Sequence, residues 1–225
     1  HNNRTYVHVY SGFHVEWDRN QTDAVSAVRP AILGESTYIG HGGGGDWRVR
    51  RNMHWPILAG GAGHAHGNDP IWRMGPGWKD NLNEPSRRCL EHVYTIYKDR
   101  AWHMLVPESN VRGALPFIHS GREFYDGTRT KDEAKGQKFV VAARTPDGTL
   151  GMAFLPTTHP GTIGIDLSRF AGPVTAIWAD PTSGRETVIS GSPLPNNSSR
   201  TFARPGNNSY GFADWLLILE VQDMD

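Results

Sequence analysis

The sequence predicts an α/β segment followed by an all-β segment, and two observations carry that expectation. Over residues 1–105, strand-like stretches alternate with helical ones in the order strand, helix, strand, helix, strand, helix, which implies parallel strands in βαβ units. From about Leu105 the texture changes to short apolar stretches at regular spacing, separated by turn signals such as Pro146-Asp147-Gly148 and Asp180-Pro181-Thr182-Ser183-Gly184. That spacing is the mark of an antiparallel β-sandwich. A boundary near Pro107 divides the chain into 1–106 and 107–225.

Taken in order, Thr5 to Tyr10 reads as a strand, and a loop with Phe13, Trp17 and Asp18 follows it. Thr22 can cap a short helix to Val28, ahead of Pro30. The stretch that organises the rest runs from Pro30 to Trp72. It begins with a strand, Ala31 to Glu35, and passes through the glycines Gly40 to Gly45. Asp46 then opens a helix to about Leu58, with Trp47, Arg50 and His54 at helical spacing. Pro56 predicts a kink or an early stop there. Gly60 to Gly67 is the third strand, and Asn68 to Trp78 a loop carrying Trp72 and Trp78. Ser86 to Asp99 is the clearest helix, with Leu90, Val93, Tyr94 and Tyr97 as its apolar stripe. Strand candidates beyond the boundary are 138–145, 149–155, 162–167, 174–179 and 215–221, with Trp178 and Trp215 in the sandwich core. Residues 110–136 are polar and punctuated by glycine, and no element is assigned to them.

Composition narrows the function classes. With 225 residues and 37% hydrophobic content the chain can bury a substantial core. Its 23 basic and 23 acidic residues leave no positive excess for nucleic-acid binding. No apolar stretch approaches the roughly 20 residues that span a bilayer. The single cysteine, Cys89, cannot form an internal disulfide.

The candidate chemistry sits at the ends of the first three strands. Side chains alternate across a strand, so Ala31, Leu33 and Glu35 share one face, Tyr6, His8 and Tyr10 another, and Ala62, His64 and His66 a third. An apolar run that ends in one carboxylate delivers an acid to a rim, and Glu35 is the candidate catalytic residue. The plainer reading makes it a rim carboxylate that caps the next helix or pairs with Arg50. Asp18, Asp46 and Asp69 are rivals in loops or at a cap, where structural roles dominate. His8, Tyr10 and Tyr38 are candidate substrate contacts or ordinary packing residues. Trp72 is a loop aromatic with the placement to stack on a bound ligand, or else to plug its loop. His64 and His66 suit substrate hydrogen bonding, with metal binding as a rival use of the pair. No cofactor and no metal is expected. Gly42 to Gly45 lacks the Lys-Ser/Thr that a phosphate loop requires.

Three motifs in series carry a resemblance. Pro30-Ala31-Ile32-Leu33-Gly34-Glu35-Ser36-Thr37-Tyr38, Val49-Arg50-Arg51-Asn52-Met53-His54-Trp55, and Gly60 through Trp72 resemble the later part of the apiosidase-like (β/α)8 glycoside hydrolases, family 140 and its relatives. Ala176 through Gly184 and Asp214 through Glu220 resemble the β-sandwich that follows such barrels, often labelled a collagen-binding domain. The resemblance implies the last strands of a (β/α)8 TIM barrel followed by an antiparallel β-sandwich. Tyr6, Glu35 and His64 would then lie at the C-terminal rim, where barrel enzymes place their chemistry. It further implies that Glu35 is the nucleophile of a retaining glycoside hydrolase acting on plant or algal polysaccharide side chains, and a secreted or periplasmic location.

Glycoside hydrolysis uses two carboxylates, held roughly 5 to 5.5 Å apart in a retaining enzyme. The acid/base has no counterpart in these residues, and three parallel strands leave an unpaired edge. The expectation is therefore a second polypeptide that carries the first strands and the acid/base, the chain being a processed product, with a truncated record as the alternative. The rival function is a non-catalytic carbohydrate- or matrix-binding protein whose sandwich does the binding. A metal-dependent hydrolase using His64 and His66 is the third reading.

Overall fold

In the computed structural model, residues 32–34, 38–40, 46–108, 116–123 and 138–222 are described. The first region holds a parallel pair of short strands, β1 (Ile32–Leu33) and β2 (Gly63–His64), with helix α1 (Asp46–Leu58) between them in sequence. A one-turn helix α2 (Asp69–Arg73) and helix α3 (Pro85–Tyr97) follow. The parallel pairing is the one the strand–helix–strand order predicts, with Ile32 opposite Gly63 and Leu33 opposite His64.

α1 has the predicted bounds, and Pro56 does not cut it short. Proline lacks an N–H to give back to the chain four residues earlier, yet the helix continues to Leu58, and the Ala59 and Gly61 amides close its end on the Trp55 and Pro56 carbonyls. The apolar stripe of α3 is rotated from the one expected: Cys89, Val93, Ile96 and Tyr97 are buried, whereas Tyr94 is 70% exposed. Pro85 starts that helix, and the Glu84 carboxylate caps it by accepting from the Ser86 amide at 2.9 Å. Residues 69–73, expected as loop, form α2. Its first turn is set by the Asn68 side chain, which accepts from the Ile71 amide at 3.3 Å, and by Pro70.

The second region contains β3 (Val106–Pro107), β4 (Ile118–Ser120), β5 (Val141–Arg144), β6 (Leu150–Leu155), β7 (Thr162–Asp166), β8 (Val174–Ala179), β9 (Glu186–Val188), β10 (Ser199–Ala203) and β11 (Trp215–Val221). They form a six-stranded sheet in the order β3-β5-β6-β11-β8-β9 and a three-stranded sheet in the order β10-β7-β4, every pairing antiparallel. β3 lies across the expected boundary and already belongs to the larger sheet.

The central strands β6, β8 and β11 of the larger sheet are buried on both faces, which explains their unbroken apolar runs. Along β11, Leu216 and Ile218 join a core with Met53, Leu58, Cys89 and Ile96 of α1 and α3. Trp215, Leu217 and Leu219 point the other way, into a core with Ile163, Ile165 and Phe202 of the smaller sheet. Trp178 and Trp215 sit in that second core, as expected, edge to face at 6.4 Å. Two cores therefore share one sheet, and the helices of the first region cover the face that a free-standing pair of sheets would leave to solvent. Among the described residues no helix is long and apolar enough to cross a membrane.

Candidate functional site

The β1–β2 ladder places the described candidates. Beyond the Leu33–His64 pair the Ala65 amide donates to the Leu33 carbonyl at 2.8 Å. The strands meet again where the Ile39 amide donates to the Gly67 carbonyl at 3.0 Å and the Asp69 amide to the Ile39 carbonyl at 2.9 Å. Leu33 is buried at 3% exposure and Ile32 is 53% exposed, so the predicted alternation holds at these two positions. Glu35, His8 and Tyr10 lie outside the described residues.

Tyr38 and Trp72 come together at this end. Their rings meet edge to face, 6.4 Å apart at 76°. The Tyr38 ring lies directly on the backbone of Gly67, where a Cβ would come within 2.0 Å of a ring carbon. Glycine is needed here for close approach. Trp72 is 67% exposed, and Arg73 lies 5.4 Å from its ring centre while its Nε donates to the Asp69 carboxylate at 2.8 Å. The result is an exposed indole on a short, doubly capped turn, braced by a tyrosine.

His64 and His66 are both half-buried and the Ala65 between them is exposed, as alternation requires, although Ala62, expected on their face, is exposed too. Burial, with a smaller contribution from His66, lowers the His64 pKa to about 4. Burial also lowers that of His66, with Arg87 adding to the effect and Glu84 opposing it. Both imidazoles are thus neutral at pH 7. Nε2 of His64 and both ring nitrogens of His66 are buried and have no hydrogen-bond partner among the described residues. Among those residues no group of three His, Cys, Asp or Glu side chains is placed to hold a metal ion. The metal-dependent reading therefore finds no third ligand there.

Beneath β2, His54 of α1 is fully buried, and burial first, then His64 and Arg50, lower its pKa to about 3. Its Nδ1 lies 3.2 Å from the Tyr97 hydroxyl, and its ring stacks on Phe154 of β6 at 5.0 Å. Arg50 is a structural residue rather than a substrate contact. Its Nε and Nη2 donate to the two carboxylate oxygens of Asp214 at 2.8 and 2.9 Å, with both side chains buried. Burial opposes that charge, but the hydrogen bonds and charge of Asp214 outweigh it and raise the Arg50 pKa. Asp46, one turn earlier, is half-buried; burial and nearby Glu84 raise its pKa against the pull of Arg50.

Sequence reasoning singled out Arg50 and His54 by their helical spacing but not their partners Asp214 and Phe154, which are far away along the chain. No local signal points to either.

Residues 5–104 match the family model described as "Apiosidase-like, catalytic domain", and residues 129–220 match that described as "Putative collagen-binding domain of a collagenase". No protein of curated function matches the chain significantly. Among solved structures, a glycoside hydrolase aligns with a TM-score of 0.70 and 21% identity over 93% of this chain and 46% of its own. A glycoside hydrolase family 5 protein from Bacteroides vulgatus aligns with a TM-score of 0.68 and 16% identity over 93% of this chain and 45% of its own. The chain thus spans less than half the length of either, and the likeness is one of fold.

Proposed function

We propose that this chain, an apiosidase-like segment followed by a segment of the collagen-binding-domain type, is the later part of a (β/α)8 barrel and its β-sandwich, and works in a retaining glycoside hydrolase. The observation that carries the reading is the parallel register of Leu33 with His64. Glu35 follows Leu33 by two residues, and on a continuing strand it would share Leu33's side of the ladder, toward the end where Tyr38 and Trp72 meet.

In this mechanism the Glu35 carboxylate attacks the anomeric carbon and forms a glycosyl ester as the bond to the leaving oxygen breaks. A second carboxylic acid protonates that oxygen. Water then attacks the same anomeric carbon, giving its proton to the second carboxylate, as the bond to Glu35 breaks and frees its carboxylate. The second group is supplied from outside these 225 residues. His64, His66, His8 and Tyr10 hydrogen-bond the sugar, Tyr38 orients the nucleophile, and Trp72 stacks on a ring face. The substrates are side chains of plant or algal polysaccharides, met in a secreted or periplasmic setting.

The test is Glu35→Gln in the full-length protein. Loss of turnover by a factor of about 1,000 or more, with polysaccharide binding retained, is the expected result. Hydrolysis at the original rate removes Glu35 from the mechanism. The rival reading, a non-catalytic carbohydrate- or matrix-binding protein, is favoured by the family description of residues 129–220. It predicts binding that survives and an E35Q variant indistinguishable from the parent in every assay.

A further inference from the structure

The second region grips the first through a shaped loop. Asn208 organises residues 208–214: its Oδ1 accepts from the Tyr210 and Phe212 amides, each at 3.1 Å, and its Nδ2 donates to the Asp214 carbonyl and carboxylate, also at 3.1 Å. So held, Asp214 meets the edge of the Arg50 guanidinium with two hydrogen bonds, and the Phe212 ring covers its face at 4.6 Å. Arg50 has no exposed surface. A second tie lies at the other end of α3. Arg100 donates through Nε to Glu220 of β11 at 2.7 Å, and through Nη1 and Nη2 to Glu186 of β9 at 2.7 and 2.8 Å. Between the two arginines the contact is apolar, with Phe154 and Met152 of the sheet against Met53 and Ile96.

From this we infer that the second region is the fixed outer wall of the catalytic segment and not a separable ligand-binding module, and that the Arg50–Asp214 pair seats it. A module evolved to bind a ligand on its larger sheet would keep one face of it open. Here α1 and α3 occupy one face and the smaller sheet the other. An arginine buried without its carboxylate carries a large desolvation cost, so the pair forms only when wall and helix meet in this one register.

The experiment is thermal unfolding and hydrogen–deuterium exchange on the full chain. The unaltered protein should unfold in one transition. Asp214→Asn should lower Tm by roughly 10 °C and raise exchange about tenfold or more across residues 46–58, although the change lies in the other region. Replacing both partners, Arg50→Met with Asp214→Met, should recover at least half of the Tm loss, since no buried charge is then left unpaired. If D214N does not fold, Arg100→Met decides through the same readout, with exchange rising in both α3 and β11. Two resolved transitions in the unaltered protein would overturn the inference. So would D214N effects confined to residues 206–214, or R100M effects confined to residues 98–104.

Discussion

The β1–β2 end and the six-stranded sheet are built on opposite principles. In the sheet, successive residues of β6, β8 and β11 are buried on alternate faces in two separate cores, and the ladder satisfies the backbone. At the β1–β2 end the strands are two residues long, the two histidines are half-buried, and imidazole nitrogens of His64 and His66 lack partners among the described residues. Stability resides where polar groups are absent or paired. In the proposed function, the β1–β2 end is where the sugar would be held. His54 links the two, its ring stacked on Phe154 of the sheet beneath the strand that carries His64.

Changes that separate the two regions should separate stability from activity. The largest effect is expected from Phe154→Ala, which opens a cavity between β6 and α1 and removes the face on which His54 rests; a loss of about 3 to 5 kcal/mol, read by denaturant unfolding, should follow. Gly67→Ala should leave the sheet intact yet drive the Tyr38 ring off the strand, with substrate affinity falling while the sheet's melting changes little. Trp72→Ala should change stability by no more than about 0.5 kcal/mol, since the indole is on the surface, and weaken sugar binding by about tenfold. Equal loss of stability and binding in that variant would place Trp72 in the fold rather than in the site.

A further effect is one of pH. An unfolded imidazole titrates near 6.5, whereas folded His64 and His54 titrate at about 4 and about 3. The unfolded state therefore takes up protons first as pH falls, and the folded state is penalised increasingly from pH 6.5 down toward 4 for His64 and 3 for His54. The slope is at most about 1.4 kcal/mol per pH unit for each group. Unfolding free energies measured between pH 7 and 4 should show this decline, and His54→Phe, if it folds, should flatten it.

These contrasts also explain what could be read from the chain. The strands at 150–155, 162–166, 174–179 and 215–221 matched their predicted spans because each is an apolar run bounded by turn residues. β9 and β10 were missed because Glu186, Thr187 and Val188, and all of β10 except Phe202, are exposed and show no alternation to read. The face of α3 was misjudged because a tyrosine can serve either side of a helix; the sheet packs on Ile96 and Cys89 and leaves Tyr94 in solvent. At the β1–β2 end, the parallel pairing of Ile32 and Leu33 with Gly63 and His64 followed from the strand–helix–strand order, whereas the contact of Tyr38 with Trp72 was not read from the chain. Nor was the role of Arg50, since its partner lies 164 positions away and only the folded sheet brings it near.

The central claim concerns the nucleophile, and a retaining mechanism makes it directly visible. A slowly released fluoro-glycoside accumulates the glycosyl ester, and peptide mass spectrometry of the inactivated full-length protein reports which residue carries the sugar. The account predicts the added mass on the peptide containing Glu35, and no label when that residue is glutamine. A label on Asp46 or Asp69, or hydrolysis that proceeds with inversion and no covalent species, would contradict it.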